Sequence, residues 1–482
     1  MMRKIIILLL VVILVAALPA VAFAADEAFK PSNATVGATM LATVLTVIMA
    51  VLFIIVAVLL GVRSSGVDDG AGRVWSVFVL MAAVAVMLRV IAALAFEGYT
   101  TDIACFKGWA IGVYEHGLSG FYSSGIFCDY PPGYMYVLYV LGGLRDMLGI
   151  DAGSVLFTLI IKLPSIIAEV VLALFVYKVA VKQMGRTFGL MCSAFLLFNP
   201  ALFFNSSVWG QIDMVFILFI VLCLYYLRKE NTMLGAVFFA VALLLKPQAI
   251  MLAPVVGLTY IYALFKKGRV ERETLKLLTS GAILAAVVAA GVIPFTGSQQ
   301  PDWIVHKYIG VVEEYQYATV NAFNLWGLLG ANWTPADQVF LFMPYHYWGI
   351  LFIGLICATV AVLQWRSRAQ LVTFDVAAFL IISVYMLAHA MHERYMLPAC
   401  VFLLLAYVFT RDMTTLTFAV AFSLTALFAQ LFTLYADSVL VSGMPMLVVS
   451  AANVGLYAIY AVLTFKKLVR GTVMINSPSL NG

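Results

Sequence analysis

Residues 127–143 read FCDYPPGYMYVLYVLGG, a turn with an acid and two prolines that runs into an apolar helix. Whether this segment crosses a membrane decides the topology of everything after it. Composition sets the class: 482 residues, 64% hydrophobic and 11% charged, against about 25% charged in soluble domains. Apolar runs of roughly 17 to 25 residues, long enough to span hydrocarbon as helices, recur along the chain. They lack the alternation of barrel strands. The expected fold is all-α, a polytopic helical membrane protein.

Basic residues tell the two faces apart. Lys178, Lys182 and Arg186 lie together between apolar runs, as do Arg228 and Lys229. So do Lys266, Lys267, Arg269, Arg272 and Lys276; Arg366 and Arg368; and Lys466, Lys467 and Arg470. The positive-inside rule puts such clusters in the cytoplasm and asks for no anionic partner, nucleic acid included. Helices are then expected near 5–24, 38–62, 74–96, 154–178, 187–204, 208–228, 231–246, 249–266, 275–295, 346–365, 371–388, 397–410, 414–436 and 444–464. The count is about thirteen or fourteen, because residues 1–24 read either as a retained helix or as a signal peptide behind Arg3 and Lys4.

If 132–148 also crossed, Lys178, Lys182, Arg186 and every later cluster would move outside. Parity therefore makes it a juxtamembrane helix in the outer interface, where Tyr130, Tyr134, Tyr136 and Tyr139 are at home. Pro131 and Pro132 suit its first turn, where no backbone donor is lost. The chain divides into the leader-like segment 1–24, two helices within 25–96, and a first extracytoplasmic loop over 97–153. A transmembrane module over 154–295, a second extracytoplasmic loop over 296–345 and the closing helices of 346–482 follow.

The unusual polar residues gather on the loop side. Lys162, Lys246 and Arg394 lie within or at the ends of apolar helices, where a cation costs about 2.5 kcal/mol or more unless it finds a partner, a wet cavity or the headgroups. Lys246 and Arg394 are framed by Pro247, Gln248, His389, His392 and Glu393. Asp102, Asp129 and Asp213 supply carboxylates on the same side. Asp102 reads either as a helix cap or as a catalytic acid. Lys246, His389, His392 and Arg394 suit a phosphate, with Arg394 offering forked hydrogen bonds, while one carboxylate takes a proton from an attacking hydroxyl. A phosphate at the outer interface suggests a lipid phosphate. His389 and His392 with an acid are also a possible divalent-metal pair, though not the favoured reading. No phosphate-cradling G-x-x-x-x-G-K-[ST] motif occurs, nor a G-x-G-x-x-G after a strand. The six cysteines lack metal spacing; Cys105 and Cys128 share one outer segment and are either a disulfide or two thiols.

The stretches TDIACFKGW, DYPPGYMYVLY, KLPSIIAEV, NPALFFNSSVWGQID, LLLKPQA and HERYMLP run in order from about residue 97 to 398. Together they resemble the GT-C superfamily of membrane glycosyltransferases, nearest to prokaryotic relatives of the second GPI mannosyltransferase and of dolichyl-phosphate-glucose glucosyltransferases. The resemblance implies a polyprenyl-phosphate-sugar donor and no cofactor. It implies Asp102 as the base that activates an acceptor hydroxyl, with inversion through an oxocarbenium-like transition state. Lys246, His392 and Arg394 would neutralise the departing phosphate; Gln211 and Asp213 would line the pocket, and Asp129 and Tyr130 its floor. The sequence departs from the family in its two extra leading runs and in Thr101, which leaves Asp102 without the paired acid of metal-using members. The expected activity is hexosyl transfer, mannosyl by resemblance, at the extracytoplasmic face of the cell membrane. The acceptor is a lipid-linked glycan, a polymer or a protein. A transporter or flippase for a polyprenyl-phosphate lipid or anion is the competing class, and a non-catalytic scaffold the third.

Overall fold

A computed structural model describes residues 36–62, 71–266, 270–366, 373–435 and 443–469. Segment 1–24 and Lys267, Arg269, Arg368 and Arg470 lie outside these residues. The chain is an all-α polytopic membrane protein, and each expected apolar run from residue 38 onward coincides with a helix. In order these are α1 (Val36–Val62), α2 (Ala71–Ala95), α3 (Thr100–Phe121), α4 (Pro132–Met147), α5 (Val155–Met184), α6 (Arg186–Leu197) and α7 (Pro200–Phe203). Then come α8 (Asp213–Arg228), α9 (Thr232–Leu245), α10 (Ala253–Lys266), α11 (Val270–Val292), α12 (Trp303–Glu314) and α13 (Leu325–Leu328). A two-strand hairpin, β1 (Val339–Phe340) and β2 (Met343–Pro344), leads into α14 (Tyr345–Arg366). The chain continues with α15 (Thr373–Leu387), α16 (Leu397–Thr410), α17 (Met413–Tyr435) and α18 (Met444–Val469).

Among the described residues, eight helices are long and apolar enough to cross a membrane alone. The pair 186–197 and 200–209 is apolar enough only when taken together and is bent by 42°, where Pro200 interrupts the helical hydrogen bonding. The runs expected at 208–228, 231–246, 371–388 and 397–410 are shorter helices of 16, 14, 15 and 14 residues. At 1.5 Å per residue they reach about 21–24 Å, short of a hydrocarbon core of about 30 Å. Each has one end at the polar site on the loop face. α15 and α16 are apolar on every side and buried at almost every position, which puts them at the centre of the bundle. α11, α14 and α18 expose apolar side chains around the rim.

The opposite face is tied by its basic residues. Lys467 Nζ lies 2.9 Å from Asp375 and 3.1 Å from Asp412. Arg411 donates to Gln183 O at 2.9 Å, and the Arg228 guanidinium sits 3.9 Å over the Phe409 ring. Helix ends expected on one face from charge alone thus meet there.

The 132–147 helix is not among those long and apolar enough to cross. A Cβ on Gly133 near its start would come within 2.6 Å of Leu244 backbone. Tyr136 Oη donates to Gly291 O at 3.1 Å, and the Arg145 guanidinium at its end is 6.0 Å from the Phe157 ring. Leu244, Gly291 and Phe157 all stand at loop-face ends of other helices, so α4 lies along that face. α3 runs beside it in the same sense: Phe106 meets Tyr134 at 5.9 Å, and Tyr114 meets Tyr139 at 5.7 Å. Within the bundle, Arg89 of α2 donates through Nε to Glu169 Oε2 of α5 at 2.9 Å and through Nη2 to the same oxygen.

Candidate functional site

Local sequence sets the polar groups at the ends of the short helices. Pro247 pushes the residue before it out of helical geometry, so Lys246 is extended at φ −154°, ψ 131° and closes α9. The NSSVWG stretch forms a π-turn that ends at Gly210, φ +90°, a conformation open to glycine at little cost. Gly98, φ +113°, turns the chain out of α2, and a Cβ there would collide with Trp209 O. That close approach lets Tyr99 donate its backbone N–H to Trp209 O at 2.9 Å and stack on the Trp209 ring at 5.0 Å.

Asp102 is not a cap. α3 begins at Thr100 after Tyr99, and the Asp102 carboxylate instead accepts from Trp209 Nε1 at 2.7 Å and Gln211 Nε2 at 2.5 Å, both on Oδ2. Oδ1 is thereby left clear of these two donors. Gln211 is fixed from its other side by Tyr130 Oη at 3.3 Å.

Asp213 is the hub. It forms a buried ion pair with Lys246, accepts from Asn205 Nδ2 at 2.9 Å, and lies 3.7 Å from Arg394 Nε. Arg394 donates through Nη1 to Glu393 Oε1 at 2.5 Å, and its guanidinium sits 5.7 Å over the Trp209 ring. Lys246 lies 5.8 Å over the Tyr130 ring. Asp102, Asp213 and Glu393 all act on the charge of Arg394. The structure thus brings Asp102, Tyr130, Gln211, Asp213, Lys246, His392 and Arg394 into one cluster. Asp129 borders it: burial raises its carboxyl above the usual range, Asp102 adds to this, and Lys246 and Lys307 oppose it.

His392 enters as a neutral ring. Burial first, then the charges of Arg394 and Lys246, hold its imidazole well below the usual range. The positive charge at the site therefore comes from Lys246 and Arg394. The His392 ring lies 4.5 Å from that of Tyr315, and its backbone bridges Val320 and Asn321 of the second loop. His389 is not drawn in. It packs on Gly349 of α14, where a Cβ would collide with its Nδ1, and it feels His346. Among the described residues, no group of three or more His, Cys, Asp or Glu converges to hold a metal. Lys162 also stands apart from the cluster. Its ammonium donates to Phe96 O at 2.7 Å, Ser207 O at 2.9 Å and Val208 O at 3.4 Å, and so pins the Trp209 turn from beneath. No disulfide joins Cys105 and Cys128.

Beside the cluster lies a small cavity of about 10 Å³, room for about one water-sized group. Asp213, Gln248, Arg394 and Tyr395 form its polar end, and Phe216, Met251, Leu252, Ile381 and Pro398 its apolar wall. Gln248 Nε2 donates to Tyr395 Oη at 2.7 Å. Arg394 Nε, His392 Nε2 and Gln248 Oε1 are buried without a hydrogen-bond partner. Buried polar groups normally find one; of these three, Arg394 and Gln248 line the cavity. Sequence reasoning overlooked Trp209 and Glu393 as site residues. Both stand in stretches it singled out, but an indole reads as packing until its N–H is seen on a carboxylate. No protein-family model matches the chain, and no curated protein matches it.

Proposed function

We propose that this chain is an inverting glycosyltransferase. It moves a hexose, mannose by family resemblance, from a polyprenyl-phosphate carrier to an acceptor hydroxyl on the loop face, with that face extracytoplasmic. One observation carries the reading: an apolar-walled cavity ends on a buried arginine whose Nε lacks a hydrogen-bond partner. A buried cation beside apolar side chains is the setting that the phosphate end of a lipid carrier needs, once the small cavity widens to admit it.

Asp102 takes the proton of the acceptor hydroxyl. The oxygen attacks the anomeric carbon, the carbon–oxygen bond to phosphate breaks, and the phosphate leaves with the bonding pair. Arg394 meets the charge that develops on the leaving group, where a fixed cation helps most. Asp213 holds Lys246 and Arg394 in place, so Lys246 acts from behind that carboxylate. Trp209 and Gln211 hold the Asp102 carboxyl in position. The transport reading loses one of its cations, since Lys162 is engaged with backbone carbonyls.

The test is consumption of polyprenyl-phosphate-mannose by purified protein in liposomes, followed as release of free lipid phosphate. Asp102→Asn should lower the rate by about 10²–10⁴-fold, the usual worth of a general base, with folding unchanged. Full activity of Asp102→Asn removes the base assignment. Lipid translocation with no consumption of any polyprenyl-phosphate sugar removes the enzyme reading.

A further inference from the structure

The 339–344 hairpin carries an apolar tip that the mechanism does not use. Leu341 and Phe342 are 75% and 76% exposed. In a soluble protein such a pair would face water at a loop tip, the place where Asn and Gly are usual. Leu341 moreover adopts φ +61°, a left-handed conformation that costs a leucine roughly 1–2 kcal/mol and asparagine or glycine much less. Its apolar side chain is kept in spite of that cost.

The tip lies beside a membrane span. α14 starts directly after the hairpin and has 22 residues, about 33 Å at 1.5 Å per residue, so its first turn stands at the edge of the hydrocarbon. The hairpin folds down against that turn. Trp348 Nε1 donates to Phe340 O at 3.0 Å, and the Phe342 ring lies 4.9 Å from that of Trp348. Phe340 faces inward against Trp326 and Tyr345. Next along α14, Ile350, Leu351 and Leu355 expose their side chains, continuing the apolar surface of the tip down the span. Tyr347 and Trp348 belong to the residue types that anchor at a membrane interface.

We propose that Leu341 and Phe342 insert into the leaflet on the loop face, at the boundary of headgroups and acyl chains. The occupant of this surface is lipid. The inserted hairpin also steadies the second loop: Ala336 O accepts from His346, and the loop continues to Val320 and Asn321, which bridge His392. Insertion of the tip does not depend on the glycosyl transfer assigned to the site.

Spin labels at Leu341→Cys, and separately at Phe342→Cys, report it in the full chain reconstituted in phosphatidylcholine vesicles. The signal of identically labelled parent protein is subtracted, and Asp337→Cys at the exposed base of the hairpin is the comparison site. Collision with oxygen, which concentrates in lipid, should exceed collision with a water-soluble nickel chelate severalfold more at 341 and 342 than at 337. Equal ratios at tip and base would place the tip in water and overturn the proposal. Low collision with both reagents would overturn it too, by placing the tip against protein such as a second copy of the chain. A label at either tip position suffices if the other variant does not fold.

Discussion

Glu169→Leu should be among the most destabilising single changes in this protein, and adding Arg89→Met should undo the damage. Arg89 and Glu169 lie at 0% and 2% side-chain exposure between two membrane spans. Besides Glu169, the guanidinium donates to Ala85 O at 3.2 Å. Removing the carboxylate strands a buried cation, which costs about 3–5 kcal/mol. Removing both charges is a different matter. Both donors converge on Oε2, and Glu169 Oε1 is buried with no partner, so the pair is incompletely satisfied as it stands. Replacing it by Met and Leu should leave stability unchanged or raise it by about 1–4 kcal/mol. The cycle should therefore return a coupling of at least about 3 kcal/mol, at the upper end for residues in contact. Denaturant unfolding of the purified protein in detergent, followed by near-ultraviolet dichroism, measures all four corners. A cost below about 1 kcal/mol for Glu169→Leu, or a double variant no more stable than that single one, would refute the reasoning.

Lys162→Met withdraws the donor from the carbonyls of Phe96, Ser207 and Val208 and should cost about 1–3 kcal/mol; an unchanged unfolding midpoint would contradict it. Gly142→Ala would drive a Cβ into Ala110 O, so α3 and α4 must part at a cost of about 1–3 kcal/mol. Faster proteolysis within 122–131 would report that parting, and undiminished stability would argue against it. His392 gives a pH signature. Its folded imidazole titrates well below the usual range, so below about pH 6.5 the unfolded chain takes up a proton that the folded one refuses, and stability falls as pH falls. His392→Asn should flatten that decline in melting temperature between about pH 7 and pH 5; parallel curves would rule the effect out.

The crossing helices were legible because a bilayer imposes a length and an apolarity that can be measured along the chain. The parity of basic clusters set α4 apart from the crossing helices, and its two ends lie at the loop-face ends of other helices. α3 was not legible: TTDIACFKGWAIGVYEHGLSGF mixes polar and apolar residues too evenly to stand out as a helix, and it is held by packing on α4 rather than by pattern. Lys246, Asp213 and Arg394 could be flagged singly, since charge among apolar residues is conspicuous. Their partners could not. That Asp213 bridges both cations, that Trp209 serves Asp102, that His389 turns away while His392 joins, and that Lys162 binds backbone depends on which short helices stop together. Pairing between residues far apart in the chain leaves no local trace, because a side chain's partner is chosen by the packing of the bundle. Candidate spans follow from transfer of each segment between water and lipid, a property of composition. The constellation follows from where four short helices end together, and only the folded bundle decides that.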